Sequence, residues 1–493
     1  MPLRSRSNAR PALRYVTACL LTSCLSFAAS FTAHGADVKA YYVTTAVEAP
    51  KVVPKTTPFT RHADRIFDRL TRPTGPGASV AVVRDNQVVY LAARGEANVE
   101  SHVRMKPENK FRIGSITKTV TAATVLSLVR QGKLSLTDPL SKFLPNFPGG
   151  AGITIAQLLS HTAGISDAWD VDPTRVLDTK TLVTLIAKQP LDFKPGSEWR
   201  YSNSGYILLG AVIEKVTGHP WADGIAELIL GPFGMAHTDY FEDGVDVHDA
   251  AQGYSADASG KATRPPFVSI TGPMTAGALT STAQDIAQFA ADLNNSALFP
   301  TDLLKAMTTP AKLSDGSEAP YGYGVFLMTV RGEPAFGHNG GIEGFSSQFV
   351  YVPKAHVSVA VLVNSDTGSP SARAIALQIA AAAIGKPYRT FVDQKLDDKA
   401  RQAIVGNYRI DDHSVHAITQ EHGELYVQRA PGPKRHLVPA KGDLLYYAGE
   451  GTDYFHVVKG HDGKVTAVKF YTDGMTPPRT EKRLEGDAKI EPH

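Results

Sequence analysis

Two blocks of β-rich sequence, far apart in the chain, set the tightest limit on its fold. Ala78–Arg84 and Gln87–Ala93 are dense in β-branched and apolar residues and are joined by Asp85-Asn86, a hairpin signal. The next such runs are Gly324–Val330, Glu333–Gly337, Ser346–Val352 and His356–Val363. Helical pieces and long loops lie between: Ile155–Leu159, Leu182–Ile186, Ser204–Val216 closed by Gly218 and Pro220, and Ile286–Leu293 opened by a Thr282-x-x-Asp285 capping box. An early hairpin and a late β block close into one sheet only if the middle is an insertion. With helices over Phe59–Leu70 and Ser371–Ile384, the pattern predicts an α/β (α+β) domain. Its antiparallel sheet is flanked by helices, with a mostly helical subdomain beside it.

Past residue 400 the character changes. Gly406-Asn407-Tyr408, Glu424–Gln428, Asp443–Ala448, Tyr454–Val458 and Lys464–Phe470 are short β-runs separated by Gly/Asp turns. They read as a small all-β barrel or sandwich over 401–493. A polar linker, 386–400, joins it to the main domain over 59–385. No repeat indicates a solenoid.

The first 35 residues read as a secretory leader. Arg4, Arg6, Arg10 and Arg14 precede an apolar stretch, Tyr15–Ala29, and Ala33-His34-Gly35 offers small residues for cleavage before Ala36. An alternative is lipidation of Cys24 in Leu21-Thr22-Ser23-Cys24, which would tie the chain to a membrane. The formal charge of +3 becomes about −1 once the four arginines are removed. Cys19 and Cys24 are the only cysteines, so the mature chain has no disulfide, thiol nucleophile or cysteine metal site. No basic block or aromatic–basic stripe points to nucleic acid, and no later stretch is apolar enough to span a membrane. Residues 36–58, with Pro50, Pro54 and Pro58, read as an extended linker. The expected location is secreted or periplasmic.

Chemistry concentrates in three places. In Phe111-Arg112-Ile113-Gly114-Ser115-Ile116-Thr117-Lys118, Ser115 and Lys118 fall one helical turn apart at the head of an apolar helix, Ile116–Leu128. A serine hydroxyl needs a base within reach, and a lysine becomes one when burial lowers its pKa. The free N–H groups of a helix start favour a developing oxyanion. The second place is Tyr201-Ser202-Asn203, on a loop entering a helix. There a tyrosine beside a lysine can pass a proton to a leaving group, and an asparagine can hold both lysine and substrate. Its other reading is a helix cap at Ser202 or Asn203. The third is Gly337-His338-Asn339-Gly340-Gly341, at the end of a β-run, where adjacent glycines let a substrate approach closely and the Gly341 N–H is a second oxyanion donor. Its other reading is a glycine turn with a surface histidine.

Together these elements resemble the serine β-lactamase and penicillin-binding-protein superfamily, in its class C-like branch of esterases and D-aminopeptidases. Leu158-Leu159-Ser160-His161-Thr162-Ala163-Gly164 and Gly277-Ala278-Leu279-Thr280-Ser281-Thr282 are also similar to that family. The resemblance implies that Ser115 is acylated and that Lys118 and Tyr201 share base and acid duty. It also implies that Asn203 positions substrate, and that His338, Asn339, Gly340 and Gly341 form the strand edge along which an acyl chain lies. It implies no metal and no other cofactor. His338 stands where many β-lactam-binding members carry lysine, which favours a peptidase or esterase over a dedicated β-lactamase. The C-terminal segment is similar to the lipocalin-like domains that follow such hydrolase domains. His413, His416 and His422 read as surface histidines of its strands, and His161 and Trp199 as loop packing.

The reading that results is a hydrolase acting through an acyl-enzyme on an amide or ester, most of all a peptide containing D-residues. A carboxylesterase or β-lactamase of the same fold stands beside it, and so does a binding or sensor protein that is acylated slowly or not at all. The partner expected is a small-molecule or peptide substrate. The sequence leaves the oligomeric state open.

Overall fold

The computed structural model describes residues 56–484, apart from 169, 258–259, 296, 412–413, 450 and 473–476. The expected leader, the Cys24 lipidation site and His413 lie outside the described residues. Helix α1 (Pro58–Leu70) starts from a capping box between Thr57 and Thr60 with proline in the first turn, a position where no intrahelical N–H is needed. The hairpin follows as β1 (Ala78–Arg84) and β2 (Gln87–Arg94). Both turn residues, Asp85 (φ 49°) and Asn86 (φ 62°), are left-handed, as a tight two-residue hairpin requires.

The insertion carries helices α2 (Thr117–Arg130) and α3 (Asn203–Thr217), then α4 (Ala283–Asp292). The late block is β3 (Phe326–Val330), β4 (Glu333–Ile342), β5 (Phe345–Val352) and β6 (Val357–Val363), followed by α5 (Ala372–Ala383). The two blocks join in one antiparallel sheet of order β3-β4-β5-β6-β1-β2, with Ala78 opposite Val363 and Arg84 opposite Val357. Both faces of the central strands are covered. Val80, Val82, Val359 and Val361 face α1 and α5, while Ala81, Val83, Ala360 and Leu362 face the core that holds α2 and α4. That is why β1 and β6 read as continuous apolar runs rather than alternating ones. Helix α2 is buried on nearly every side, from Thr117 to Leu126, and forms the centre of the larger core.

The C-terminal segment is one eight-stranded antiparallel meander: Gly406–Arg409, Val415–Glu421, Glu424–Gln428, Arg435–Ala440, Leu444–Tyr447, Tyr454–Lys459, Val465–Tyr471 and Arg479–Lys482. Leu484 N–H donates to Asn407 O at 2.9 Å and Tyr408 bridges Arg483, so the last strand returns to the first and the sheet nearly closes. This decides for a barrel over a sandwich. Its interior holds Tyr408, Ile418, Leu425, Leu437, Phe455 and Val468.

Three local expectations change. Residues 386–400 are not a free linker: Val392 and Gln394 exchange backbone hydrogen bonds with Lys441 and Pro439, and a helix runs Asp398–Ile404. Thr282 caps α4 by accepting from Asp285 N–H, but the Asp285 carboxylate turns to His237 N–H and the Thr238 hydroxyl, so only half of the capping box forms. His416 is not a surface histidine. It is buried, and its Nδ1 lies 2.8 Å from the fully buried carboxylate of Glu481. Among the described residues no helix is long and apolar enough to cross a membrane.

Candidate active site

Ser115 lies in a short 3-10 turn, Gly114–Ile116, that leads into α2, and Lys118 follows one turn later. The lysine is fully buried. Its Nζ spends all three donors at once: 3.1 Å to Ser115 Oγ, 2.7 Å to Asn203 Oδ1 and 2.8 Å to Ala276 O. The rings of Tyr201 and Tyr206 flank it at 4.7 and 5.7 Å. Burial lowers the Lys118 pKa to about 7, against the opposing pull of Asp167. Near neutral pH the amine is therefore often uncharged, with a lone pair where Ser115 Oγ–H can deliver a proton. Burial has the opposite effect on Tyr201 and holds its phenol above the usual range, against the smaller opposing pull of the Ser115 hydroxyl. A protonated tyrosine at that place can donate to a leaving group. It is not a base.

Ser202 is the N-cap of α3, its Oγ accepting from Gly205 N–H at 3.1 Å. The helix-cap reading of Tyr201-Ser202-Asn203 thus holds for Ser202, and the cap places its two neighbours, Tyr201 and Asn203, against Lys118.

The third element is the far end of β4. Strand β3 pairs only with Glu333–Gly337, so residues 338–342 run on past its end. Asn339 and Gly341 are exposed there, and open space lies in front of Gly341. Gly114, at φ +52°, packs on the backbone of Gly341, with no room for a side chain between them. Ser347 Oγ–H donates to Ile113 O at 2.8 Å and ties the same turn to β5. The turn that carries the Ser115 N–H thus lies against the strand that carries the Gly341 N–H, as a two-donor oxyanion hole needs.

His338 faces the other way. It is buried, receives the Tyr321 hydroxyl at Nε2 (2.8 Å), and Nδ1–H donates to Asn339 O (2.6 Å). Those partners fix the neutral tautomer, and burial with the nearby Lys118 lowers its pKa to about 3. Ser115, Lys118, Tyr201 and Asn203 thus converge, and Gly340 and Gly341 border them. Asn339 lies on the exposed edge, while His338 belongs to the aromatic packing of Tyr201, Tyr321 and Phe326 behind the site.

Residues 63–384, well over half of the chain, match the family model described as Beta-lactamase. The chain belongs to the Beta-lactamase family. It is a serine-hydrolase-type enzyme that acts on amide or ester bonds. It is 26% identical over 415 residues to penicillin-binding protein 4* of Bacillus subtilis, covering 77% of this chain and 90% of that one. It is 29% identical over 325 residues to a D-aminopeptidase of Gluconobacter oxydans, 64% of this chain and 60% of the relative. The octameric penicillin-binding protein homologue from Pyrococcus abyssi superposes with a TM-score of 0.59 at 25% identity, over 86% of this chain and 99% of that one.

Two contributors to this Beta-lactamase-family site escaped the sequence reading. Ala276 acts through its carbonyl, which no side-chain motif marks, although it adjoins the Gly277–Thr282 stretch. Asp167 accepts from Ser202 Oγ (3.0 Å), Asn203 N–H (2.8 Å) and Ser204 N–H (2.8 Å). The available signal was its place three residues after Leu158–Gly164, a stretch already singled out.

Proposed function

We propose that this protein is a secreted or periplasmic hydrolase that cleaves an amide or ester next to a D-residue through an acyl-Ser115 intermediate. The observation that carries the reading is Lys118: fully buried, 3.1 Å from Ser115 Oγ, with a pKa of about 7. In acylation the Ser115 proton passes to Lys118 Nζ while the Oγ–C bond forms. The tetrahedral oxyanion sits between the N–H groups of Ser115 and Gly341. As the C–N or C–O bond breaks, the Tyr201 hydroxyl gives its proton to the leaving group and regains one from Lys118. Water then repeats the sequence on the acyl-enzyme and frees the acid. Asn203 holds Lys118 in line and offers its amide N–H to the substrate, and the Asn339–Gly341 edge receives the acyl chain.

Two observations support D-peptides over β-lactams. One relative carries the name D-aminopeptidase. At the position where many β-lactam-binding members carry a lysine cation, this chain has His338, which is buried and neutral. The domain plan belongs to the same proposal: leader 1–35, linker 36–58, hydrolase 59–385, connection 386–400 and a lipocalin-like barrel 401–493.

The test is the intact mass of the mature protein after incubation with a fluorophosphonate. One adduct in the wild type and none in Ser115→Ala is expected, and an adduct that persists in Ser115→Ala overturns the assignment. D-aminoacyl p-nitroanilides, p-nitrophenyl esters and a chromogenic cephalosporin then rank the substrate classes, and fastest turnover of the cephalosporin would reject the D-peptide reading.

A further inference from the structure

The segment 161–167 lies alongside 192–204 and is bonded to it at His161, Thr162, Gly164 and Asp167. Asp192 N–H donates to Gly164 O (2.8 Å), Gly196 N–H to Thr162 O (2.7 Å) and Arg200 N–H to His161 O (3.1 Å). Ser202 N–H then donates to the ring Nδ1 of His161 (3.1 Å), and Asp167 takes the last three donors, from Ser202, Asn203 and Ser204. Gly164 has φ +74°, and an added Cβ would lie 2.2 Å from Phe193 O, so this close approach requires glycine. His161 packs on Tyr201 at 4.4 Å between ring centres. The stretch that positions Tyr201 and Asn203 is thus held between a buried imidazole and an exposed carboxylate.

We propose that Asp167 is a positioning residue for Lys118 and Tyr201: its carboxylate fixes the first turn of α3, and with it Asn203 and Tyr201, against the buried amine. This rests on the reading of Lys118 as the base for Ser115. Asp167 has a second effect through space, as the acid whose charge raises the proton affinity of both Lys118 and Tyr201. The other titratable groups around Lys118 are Tyr201, Tyr206, His161 and His338, and burial keeps all four neutral near pH 7. Asp167 is therefore the one charge in this set that can tune Lys118.

Asparagine keeps the shape of aspartate and one acceptor oxygen, which can still take Ser202 Oγ–H and Ser204 N–H, but it loses the charge and the oxygen that accepts from Asn203 N–H. Asp167→Asn therefore removes the field with one bond, and Asp167→Ala removes the field with all three. In Asp167→Asn the acid limb of kcat/KM on a p-nitrophenyl ester should move to lower pH by about half a unit, because Lys118 loses its proton more easily. In Asp167→Ala the limb should move likewise and kcat should fall about tenfold or more, as the tyrosine and asparagine lose their brace. Thermal melts of all three proteins give the folded fraction. An unmoved limb in Asp167→Asn, a limb displaced upward, or losses that vanish once corrected for folded fraction would each overturn the inference. Failure of the underlying reading shows separately, as wild-type protein that takes no fluorophosphonate at Ser115. A labelled Ser115 with an unmoved limb rejects Asp167 alone.

Discussion

Lys118 and Tyr201 share one pocket and respond to it in opposite directions, which supports the proton traffic proposed above. Burial penalises whichever form is charged. The lysine is driven toward the free amine, with a pKa of about 7, and the tyrosine toward the neutral phenol. A mechanism that begins from tyrosinate would have to work against the burial that defines the site. The same burial has a stability consequence. The folded pKa of Lys118 lies below its unfolded value of 10.5, so between these values the unfolded chain binds more protons and stability rises with pH. Relative to Lys118→Met, the wild type should gain about 2–3 kcal/mol of unfolding free energy between about pH 6 and pH 9. Urea denaturation of the two proteins across that range measures it, and parallel curves would mean that Lys118 titrates normally. The convergence of Ser115, Lys118, Tyr201 and Asn203 was legible because the chemistry proposed for them needs those side chains at those spacings. Asp167 was not, because an exposed acid in a loop looks the same whether it is solvated or braces a helix start.

At the scale of elements, the site is a docking of backbone on backbone. The segment Ile113–Ile116 and the strand β4 meet at Gly114 on one side and Gly340 on the other, where a side chain has no room. A Cβ on Gly340 would lie 2.0 Å from Ile113 O and 2.3 Å from Ser347 Oγ, whereas a Cβ on Gly341 would meet nothing within 4 Å. The two neighbouring glycines should therefore differ sharply. Gly340→Ala forces the strand off the turn, should cost about 2 kcal/mol or more, and should slow fluorophosphonate labelling of Ser115. Gly341→Ala should melt with the wild type. Equal melting temperatures for the two variants would show that the strand yields without cost. The sequence located this element from its adjacent glycines and left undecided which glycine serves contact and which serves access. That depends on register: Gly340 pairs with Ser347, which is itself bonded to Ile113. The hairpin signal at Asp85-Asn86 was sufficient by contrast, since its conformation is decided within the turn. The β4 run was placed at Glu333–Gly337 and continues to Ile342, because glycines and polar residues carry no β signal of their own.

At the scale of the molecule, the hydrolase and barrel have separate apolar cores, with no buried residue common to both among the described residues. The barrel also explains its own weak signal. The pattern did not mark three strands, Val415–Glu421, Arg435–Ala440 and Arg479–Lys482, and two of them turn a polar residue inward: His416, beside Ile418, in the first and Glu481 in the last. An alternation rule based on hydrophobicity passes over such strands, yet in the folded chain the two polar residues satisfy each other. Glu481 Oε2 meets His416 Nδ1 at 2.8 Å, Oε1 accepts from Arg479 at 2.6 and 2.9 Å, and His416 packs between Phe455 and Phe470. Removing one member of a buried, bonded set leaves its partners unsatisfied, at a cost of about 3 kcal/mol. Glu481→Ala should therefore lower the melting of the barrel alone. Calorimetry should resolve two transitions, one displaced downward and the other at its wild-type temperature, while Ser115 keeps its rate of fluorophosphonate labelling. A single transition that shifts as a whole, with labelling lost in step, would instead show that the barrel is an integral support of the hydrolase fold.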